Sequence, residues 1–121
     1  MPFIKVSATK TLTEDERKQL TDGLGAAIEV IPGKDRRGLI VDIEDGKTIY
    51  VGGIKQENLV FAEVKYYSNF EYQIKRKFTA AVFEAFTNVL GTTPDKAFLT
   101  INEYNNWGGF GDFKDEYYSE Q

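Results

Sequence analysis

The sequence offers few kinds of side chain for chemistry, because it contains no cysteine and no histidine. Without these residues the chain cannot form disulfides, thiol nucleophiles, a zinc site of Cys or His ligands, or a Ser-His-Asp triad. Any catalysis would have to come from Lys, Arg, Asp, Glu or Tyr side chains, or from the chain's own terminus. No metal site is expected.

Two segments that would position such groups show the same order of elements. The first has a strand over residues 3–9 and a capping box at 13–16, which starts a helix with one apolar face. Pro32-Gly33 should end this helix, and strands follow over 38–43 and 49–51.

The second segment repeats that order. A strand over 59–65 precedes a capping box at 68–71 and a helix that ends at Leu90-Gly91. A strand over 97–102 follows, and Trp107-Gly108-Gly109 closes the unit.

The two segments correspond at a nearly constant offset, at which Arg17 matches Lys75 and Asp45 matches Glu103. Duplication is the simplest explanation, with repeats at about 2–58 and 59–113, although any two β-α-β units look somewhat alike. We expect a single domain over 1–121, with an acidic tail at 114–121.

The fold class that follows is α/β. Each β-α-β unit should have a right-handed crossover and two parallel strands, so that two units form one four-stranded mixed sheet with both helices on one face. Apolar residues on both sides of the pleat, such as Ile40 beside Leu39 and Val41, suggest that the second face is also buried. Association of subunits around a closed axis would cover it.

These features resemble the tautomerase superfamily, which includes macrophage migration inhibitory factor, 4-oxalocrotonate tautomerase and malonate semialdehyde decarboxylase. The resemblance covers residues 2 to about 111. It rests on an ordered set of short motifs: Met1-Pro2, Gly33-Lys34, Leu90-Gly91, Pro94-Asp95 and Trp107-Gly108-Gly109. It implies a homotrimer with sites at subunit boundaries, no cofactor, and the amine of Pro2 as catalytic base once Met1 is removed.

The amine of a processed Pro2 suits this role. An α-amino group titrates near 8, and burial or a nearby cation lowers its pKa. A neutral amine at pH 7 can take a proton from a carbon next to a carbonyl and return it elsewhere, which is keto–enol tautomerisation. A retained Met1 would block this amine.

Lys34 matches the lysine with which the family binds a substrate carboxylate. Arg36 and Arg37 lie close by and could assist, or could form a solvated basic turn. Tyr67 falls where the family uses a backbone amide to hold the substrate, and its side chain could equally pack at the strand end. These residues imply a small keto or enol carboxylate as substrate.

The closing aromatic residue Trp107 should line the pocket, pack at an interface, or do both. Phe98 replaces the tyrosine of the cytokine branch and Thr100 replaces an asparagine, and the resemblance implies that both positions contact the substrate. Leu12 stands where the oxalocrotonate branch has an arginine, and Asn69 and Tyr67 stand where other branches have an arginine pair. Asp42 and Glu103 are candidates for an acidic water-activating residue. These departures favour plain tautomerisation over hydration, dehalogenation or decarboxylation.

Charge and composition indicate which classes of partner and which location to expect. A net charge of −4 disfavours nucleic acid, no apolar run approaches the ~20 residues of a membrane span, and the N-terminus lacks the order of a secretory signal. We therefore expect a cytoplasmic protein. The alternatives are a non-catalytic trimeric binding protein of the same fold and a ferredoxin-like ligand-binding domain.

Overall fold

A computed structural model describes residues 1–118. Its elements follow the order β1 (Phe3–Ala8), α1 (Glu14–Ile28), β2 (Ile40–Glu44), β3 (Tyr50–Val51), β4 (Ile54–Lys55), β5 (Val60–Tyr67), α2 (Tyr72–Leu90), β6 (Ala97–Tyr104), β7 (Asn106–Gly109) and β8 (Asp112–Asp115). Short 3₁₀ turns at Arg36–Gly38 and Pro94–Lys96 precede β2 and β6.

The central sheet has four strands in the order β2-β1-β5-β6. β1 runs parallel to β2 and β5 runs parallel to β6, while the two pairs meet antiparallel at β1 and β5. Each half of the chain is thus one β-α-β unit, and the predicted α/β class and mixed sheet are confirmed.

Both helices pack on one face of this sheet, over the core. Alternate residues of β1 and β5 point towards the helices and are buried, as a period of two requires. The two helices approach closely, since a Cβ at Gly23 would lie 3.0 Å from the Cβ of Ala85. The largest fully buried side chains are Tyr66, Phe78, Phe86, Ile4, Leu20, Leu24, Ile28 and Ile31.

The helix starts differ from each other. α1 begins with the predicted capping box, in which the Thr13 hydroxyl accepts from the Glu16 amide at 3.1 Å and the Glu16 carboxylate accepts from the Thr13 amide at 3.0 Å. The second predicted box at 68–71 is wrong: α2 begins at Tyr72 after Glu71, with no side-chain cap. The preceding turn is instead tied to β6, because the Ser68 amide donates to the carbonyl of Tyr104 at 2.8 Å.

The helix ends also differ. Gly91 ends α2 as predicted, with the left-handed φ of 69° that glycine adopts without strain. α1 ends at Ile28, earlier than the end predicted at Pro32-Gly33. Hydrogen-bonded turns form the segment from Ile28 to that pair.

Equivalent ion pairs join helix to strand end in the two halves. Arg17 pairs with Asp45 at 2.9 Å, and Lys75 pairs with Glu103 at 3.1 Å. Each carboxylate also accepts from a backbone amide just before its helix, that of Leu12 or Phe70, at 2.8 Å. The matched positions therefore make matched contacts, and on this ground we propose a duplication.

Two short hairpins extend the chain beyond the sheet. β3 pairs with β4, and β7 pairs with β8 around a two-residue turn. Lys114 and Asp115, the first residues of the expected acidic tail, lie in β8, and residues 119–121 of that tail lie outside the described residues.

The sheet face away from the helices is of mixed character. Phe61, Phe98 and Ile40 are partly exposed there, beside polar residues such as Thr100 and Asp42. Ile40 lies on this face while Leu39 and Val41 pack against the core on the helix side, as the sequence predicted for this strand, and burial of the second face by other subunits stays a prediction. None of the helices in residues 1–118 is long and apolar enough to cross a membrane.

Candidate functional site

A cavity of about 300 Å³ opens where the start of β1, the end of β5 and the β7–β8 hairpin meet. Strand pairing explains the meeting point: Phe3 lies opposite Lys65 near the end of β5, and β6 leads from that end into the hairpin. The lining residues include Met1, Pro2, Lys34, Tyr67, Trp107, Gly109, Asp112 and Lys114.

Pro2 lies buried at the cavity, immediately before β1. Its carbonyl accepts a hydrogen bond from the amide of Ile40 at 2.9 Å, which anchors it to the start of β2. Its nitrogen is an amide here, because Met1 precedes it.

Met1 occupies part of the cavity. A Cβ at Gly109 would come within 3.1 Å of the Met1 sulfur, so the absence of a side chain at Gly109 makes room for that thioether. Burial, and then the charges of Lys34 and Lys114, lower the pKa of the Met1 amine below its ordinary value of 8.0. The cavity therefore disfavours protonation of an amine at this end of β1.

Lys34 projects into the cavity from the loop after α1. Its Nζ donates to the carbonyl of Tyr67 at 2.9 Å and lies 5.3 Å and 5.6 Å from the ring centroids of Tyr66 and Phe70. Burial and the charge of Lys114 lower the pKa of Lys34 below 10.5. Its ammonium has two further donors for a ligand, and no carboxylate in residues 1–118 pairs with it.

The β7–β8 hairpin forms the opposite wall of the cavity. Trp107 pairs with Lys114, and Gly109 pairs with Asp112. The turn consists of Phe110 and Gly111, at φ values of 53° and 77°, as a tight hairpin turn with two left-handed residues requires. Asp112 and Lys114 are two residues apart on β8, so both can line the cavity.

The structure brings together four of the predicted site residues: Pro2, Lys34, Tyr67 and Trp107. Arg37 is not among them. It is exposed and turned towards Asp35, with which its Nη2 pairs at 2.8 Å, while Arg36 pairs with Glu29. Local carboxylates thus hold both guanidinium groups outside the cavity.

Phe98 and Thr100 lie outside the cavity of their own protomer. Phe98 stacks on Phe61, which pairs with Ser7, four residues along β1 from Phe3. At ~3.3 Å per residue, that is roughly 13 Å from the Pro2 end. A role for either side chain requires a neighbouring subunit and stays a prediction.

The two candidate acidic residues also lie elsewhere. Asp42 is exposed on β2. Glu103 accepts hydrogen bonds from the Tyr66 hydroxyl and the Phe70 amide, both at 2.8 Å, and pairs with Lys75. These contacts give Glu103 a structural role, because they fix the two rings that flank the Lys34 ammonium.

Sequence reasoning missed Asp112 and Lys114 as cavity residues. Their signal was present in Gly109-Phe110-Gly111, since glycines between two short polar and aromatic runs are typical of a hairpin. Reading residues from 114 onward as a tail hid the period-two pattern of β8.

Only the comparison with solved structures found similar proteins. No protein-family model matches the sequence and no curated protein matches it. Among solved structures, MIF2 from Leishmania major has a TM-score of 0.84 at 17% identity, with 93% of this chain and 97% of that chain covered.

Two further structures extend the comparison. The protein Pt0534, inactivated by 2-oxo-3-pentynoate, has a TM-score of 0.85 at 16% identity over 97% of this chain and 99% of that one. A fused 4-OT described as a symmetric trimer has a TM-score of 0.76 at 14% identity, over 84% of this chain and 85% of that one. The predicted resemblance to tautomerase superfamily members is confirmed at the level of the fold.

Proposed function

We propose that this chain is a tautomerase that interconverts the keto and enol forms of a small carboxylate substrate, with the amine of Pro2 as general base after removal of Met1. The observation that carries the proposal is the position of Pro2: it is buried and lines a cavity that also contains the ammonium of Lys34, which pairs with no carboxylate in residues 1–118.

The electrostatics of the cavity support this role. Burial, Lys34 and Lys114 all lower the pKa of the Met1 amine, which is one residue from the nitrogen of Pro2. A Pro2 amine freed in the same surroundings would experience the same influences, which lower its pKa and increase the fraction of its neutral form at a given pH. A neutral amine can accept the proton from the substrate carbon, and its conjugate acid can return it.

Lys34 supplies the complementary charge. Its ammonium is held by the Tyr67 carbonyl and two aromatic rings, and so is positioned before a substrate arrives. Lys34 would bind the substrate carboxylate. A cation fixed in the cavity also stabilises the negative charge that develops on the enolate. The indole of Trp107 provides an apolar wall on the other side.

The substrate class also has support from one of the similar structures. Pt0534 was inactivated by 2-oxo-3-pentynoate, a small 2-oxo acid. A ligand of that size suits a cavity of about 300 Å³, and we propose small 2-oxo or enol acids as substrates of this chain.

A homotrimer is the assembly that we propose. A similar structure is a fused 4-OT trimer, and the mixed sheet face of this chain exposes Phe61 and Phe98 to about 38% and 37%. Packing of that face against neighbouring subunits would bury both rings and could bring Phe98 and Thr100 to a neighbour's cavity. Sedimentation equilibrium should give three times the monomer mass.

A non-catalytic binding protein is the second candidate, and the packing of Met1 favours it. The Met1 side chain fits beside Gly109 within the cavity, and a chain that keeps it has no basic nitrogen at Pro2. Mass spectrometry of the purified native protein separates the two candidates, since the catalytic one requires loss of the Met1 mass.

The activity test compares the wild type with Pro2→Ala in the enol–keto conversion of phenylpyruvate, using protein whose N-terminus has been checked by mass. We expect a fall in kcat/KM of about 100-fold, in the range typical of losing a general base. Pro94→Ala is the matched control, since Pro94 is exposed and lies outside the cavity. Equal rates for wild type and Pro2→Ala would refute the role of Pro2.

A further inference from the structure

The hairpin wall of the cavity carries a second cation that the proposed reaction does not use. Lys114 lines the cavity from β8 and stands directly across the hairpin from Trp107. None of the ion pairs formed within residues 1–118 includes Lys114. Two lysines therefore line one small cavity, and within the part of the chain that the structure describes no carboxylate pairs with either ammonium.

We propose that the ligand of this cavity is a dianion with two carboxylates, the first held by Lys34 and the second by Lys114. The inference rests on the proposed function only in taking this cavity as the substrate site. Lys114 then determines specificity: it selects a dicarboxylate over a monocarboxylate of the same length.

The charges around the cavity support two anionic groups. Asp35 is neutralised by Arg37, whose Nε donates to Oδ1 at 3.1 Å and whose Nη2 donates to Oδ2 at 2.8 Å. Asp112 is the remaining carboxylate of the wall, and its Oδ1 accepts from the adjacent amide of Phe113. Without Lys114, Asp112 would repel a second carboxylate; with Lys114 two positions along β8, the wall can accept one.

Lys34 and Lys114 both line this cavity. Lys114 lowers the pKa of both the Met1 amine and Lys34, so its charge acts across the width of the cavity. Such like charges repel each other when the cavity is empty. A ligand with two carboxylates relieves that repulsion, whereas a monocarboxylate relieves only part of it.

The test measures binding without turnover, so that it is independent of the role of Pro2. The chain has a single tryptophan, Trp107, and it lines the cavity, which makes its fluorescence a direct reporter of occupancy. Glutarate and pentanoate are the probes, because they have the same number of carbons and differ in one terminal carboxylate. Both are titrated into protein that has lost Met1.

For the wild type we expect glutarate to bind about 5-fold more tightly than pentanoate, as one additional exposed ion pair of about 1 kcal/mol would give. In Lys114→Ala the ratio should fall to near one, with the affinity for pentanoate little changed, and Lys114→Arg should restore most of it. Lys18→Ala, on the exposed side of α1, is the matched control and should keep the wild-type ratio. Raising the salt concentration should reduce the ratio in the wild type.

A wild-type ratio near one would overturn the proposal, as would a high ratio that persists in Lys114→Ala. Neither result depends on the rate measured for Pro2→Ala. Conversely, equal rates for wild type and Pro2→Ala would leave the binding ratio intact, so the two proposals fail separately.

Discussion

Glu103 connects the stability of the fold to the position of Lys34. Its carboxylate holds the Tyr66 hydroxyl and the Phe70 amide at 2.8 Å and Lys75 at 3.1 Å, and only 14% of its side chain is exposed. The substitution Glu103→Gln keeps the size of the side chain but removes its charge. The amide retains one acceptor oxygen and turns an NH₂ group towards a cation.

The expected cost follows from these three contacts. Hydrogen bonds to a charged group contribute about 1.5–3 kcal/mol, against about 0.5–1.5 for neutral pairs. Two bonds that weaken from the first class to the second lose about 1 kcal/mol each, and the partly exposed contact with Lys75 loses less than about 1 kcal/mol. We expect Glu103→Gln to lower the free energy of unfolding by about 2–3 kcal/mol at pH 7.

Urea denaturation followed by far-UV circular dichroism, at a fixed protein concentration, measures this difference. Glu84→Gln is the matched control, because Glu84 is exposed on α2 and has no ion-pair partner within residues 1–118. It should change the free energy of unfolding by less than about 0.5 kcal/mol.

The pH dependence gives a second check on Glu103. Burial alone would raise its pKa, but the hydrogen bonds from Tyr66, Phe70 and Lys75 outweigh burial, and the net pKa lies below 4.5. A carboxylate with a depressed pKa stabilises the fold above its unfolded pKa, and this stabilisation is lost as the pH falls through the folded pKa. The difference in free energy of unfolding between wild type and Glu103→Gln should therefore become smaller as the pH falls below 4.5.

Two results would refute this reasoning about Glu103. One is a stability of Glu103→Gln within about 0.5 kcal/mol of the wild type at pH 7. The other is a gap between the two proteins that stays constant from pH 7 to well below pH 4.5, since the charge of Glu103 would then not be its source.

Other parts of the structure lead to three further predictions. Gly23→Val should destabilise the fold by about 1–3 kcal/mol in urea denaturation, because a Cβ there would lie 3.0 Å from that of Ala85; an unchanged midpoint would contradict the close helix approach. Thr13→Ala should lower the free energy of unfolding by about 1 kcal/mol in the same assay, because the N-cap hydrogen bond of α1 is lost. Thr93→Ala is the control, since Thr93 is exposed and makes no side-chain cap hydrogen bond. The pKa of Lys34 lies below 10.5, so the affinity for a carboxylate ligand should fall as the pH rises through that lowered pKa. In Lys114→Ala this fall in affinity should occur at a higher pH, because one nearby positive charge is gone. A fall at the same pH in both proteins would show that the two charges do not interact.

The order of elements and the fold class could be predicted because they depend on local signals. The period of two in β1 and β5, the capping box at Thr13 and the glycine at Gly91 each act over a few residues, and the structure confirms each. The second capping box at 68–71 failed because Glu103, distant in sequence, binds the Phe70 amide and the chain before α2 follows β6.

The candidate site also has features that the sequence predicted and features that it did not. Pro2, Lys34 and Trp107 could be named from motifs that recur in order along the chain, and the cavity contains all three. Arg37 stands two residues from Asp35, and that local pairing keeps it out of the cavity. Which basic side chain remains available to a ligand depends on competition among nearby carboxylates, which only side-chain geometry resolves.

The sequence alone thus determined two β-α-β units and their shared sheet, because each element is specified by neighbours within a few residues, and the family resemblance singled out Pro2 and Lys34 as site candidates. The tertiary structure decided which end of the sheet gathers the cavity, that Met1 fills part of it, and that Lys114 reaches it from the far hairpin. The position of the cavity depends on the pairing of β1 with β2 and β5, which are far apart along the chain, and a local pattern does not state which strands become neighbours. The β7–β8 hairpin had a local signal, but only the tertiary structure places that hairpin against the start of β1.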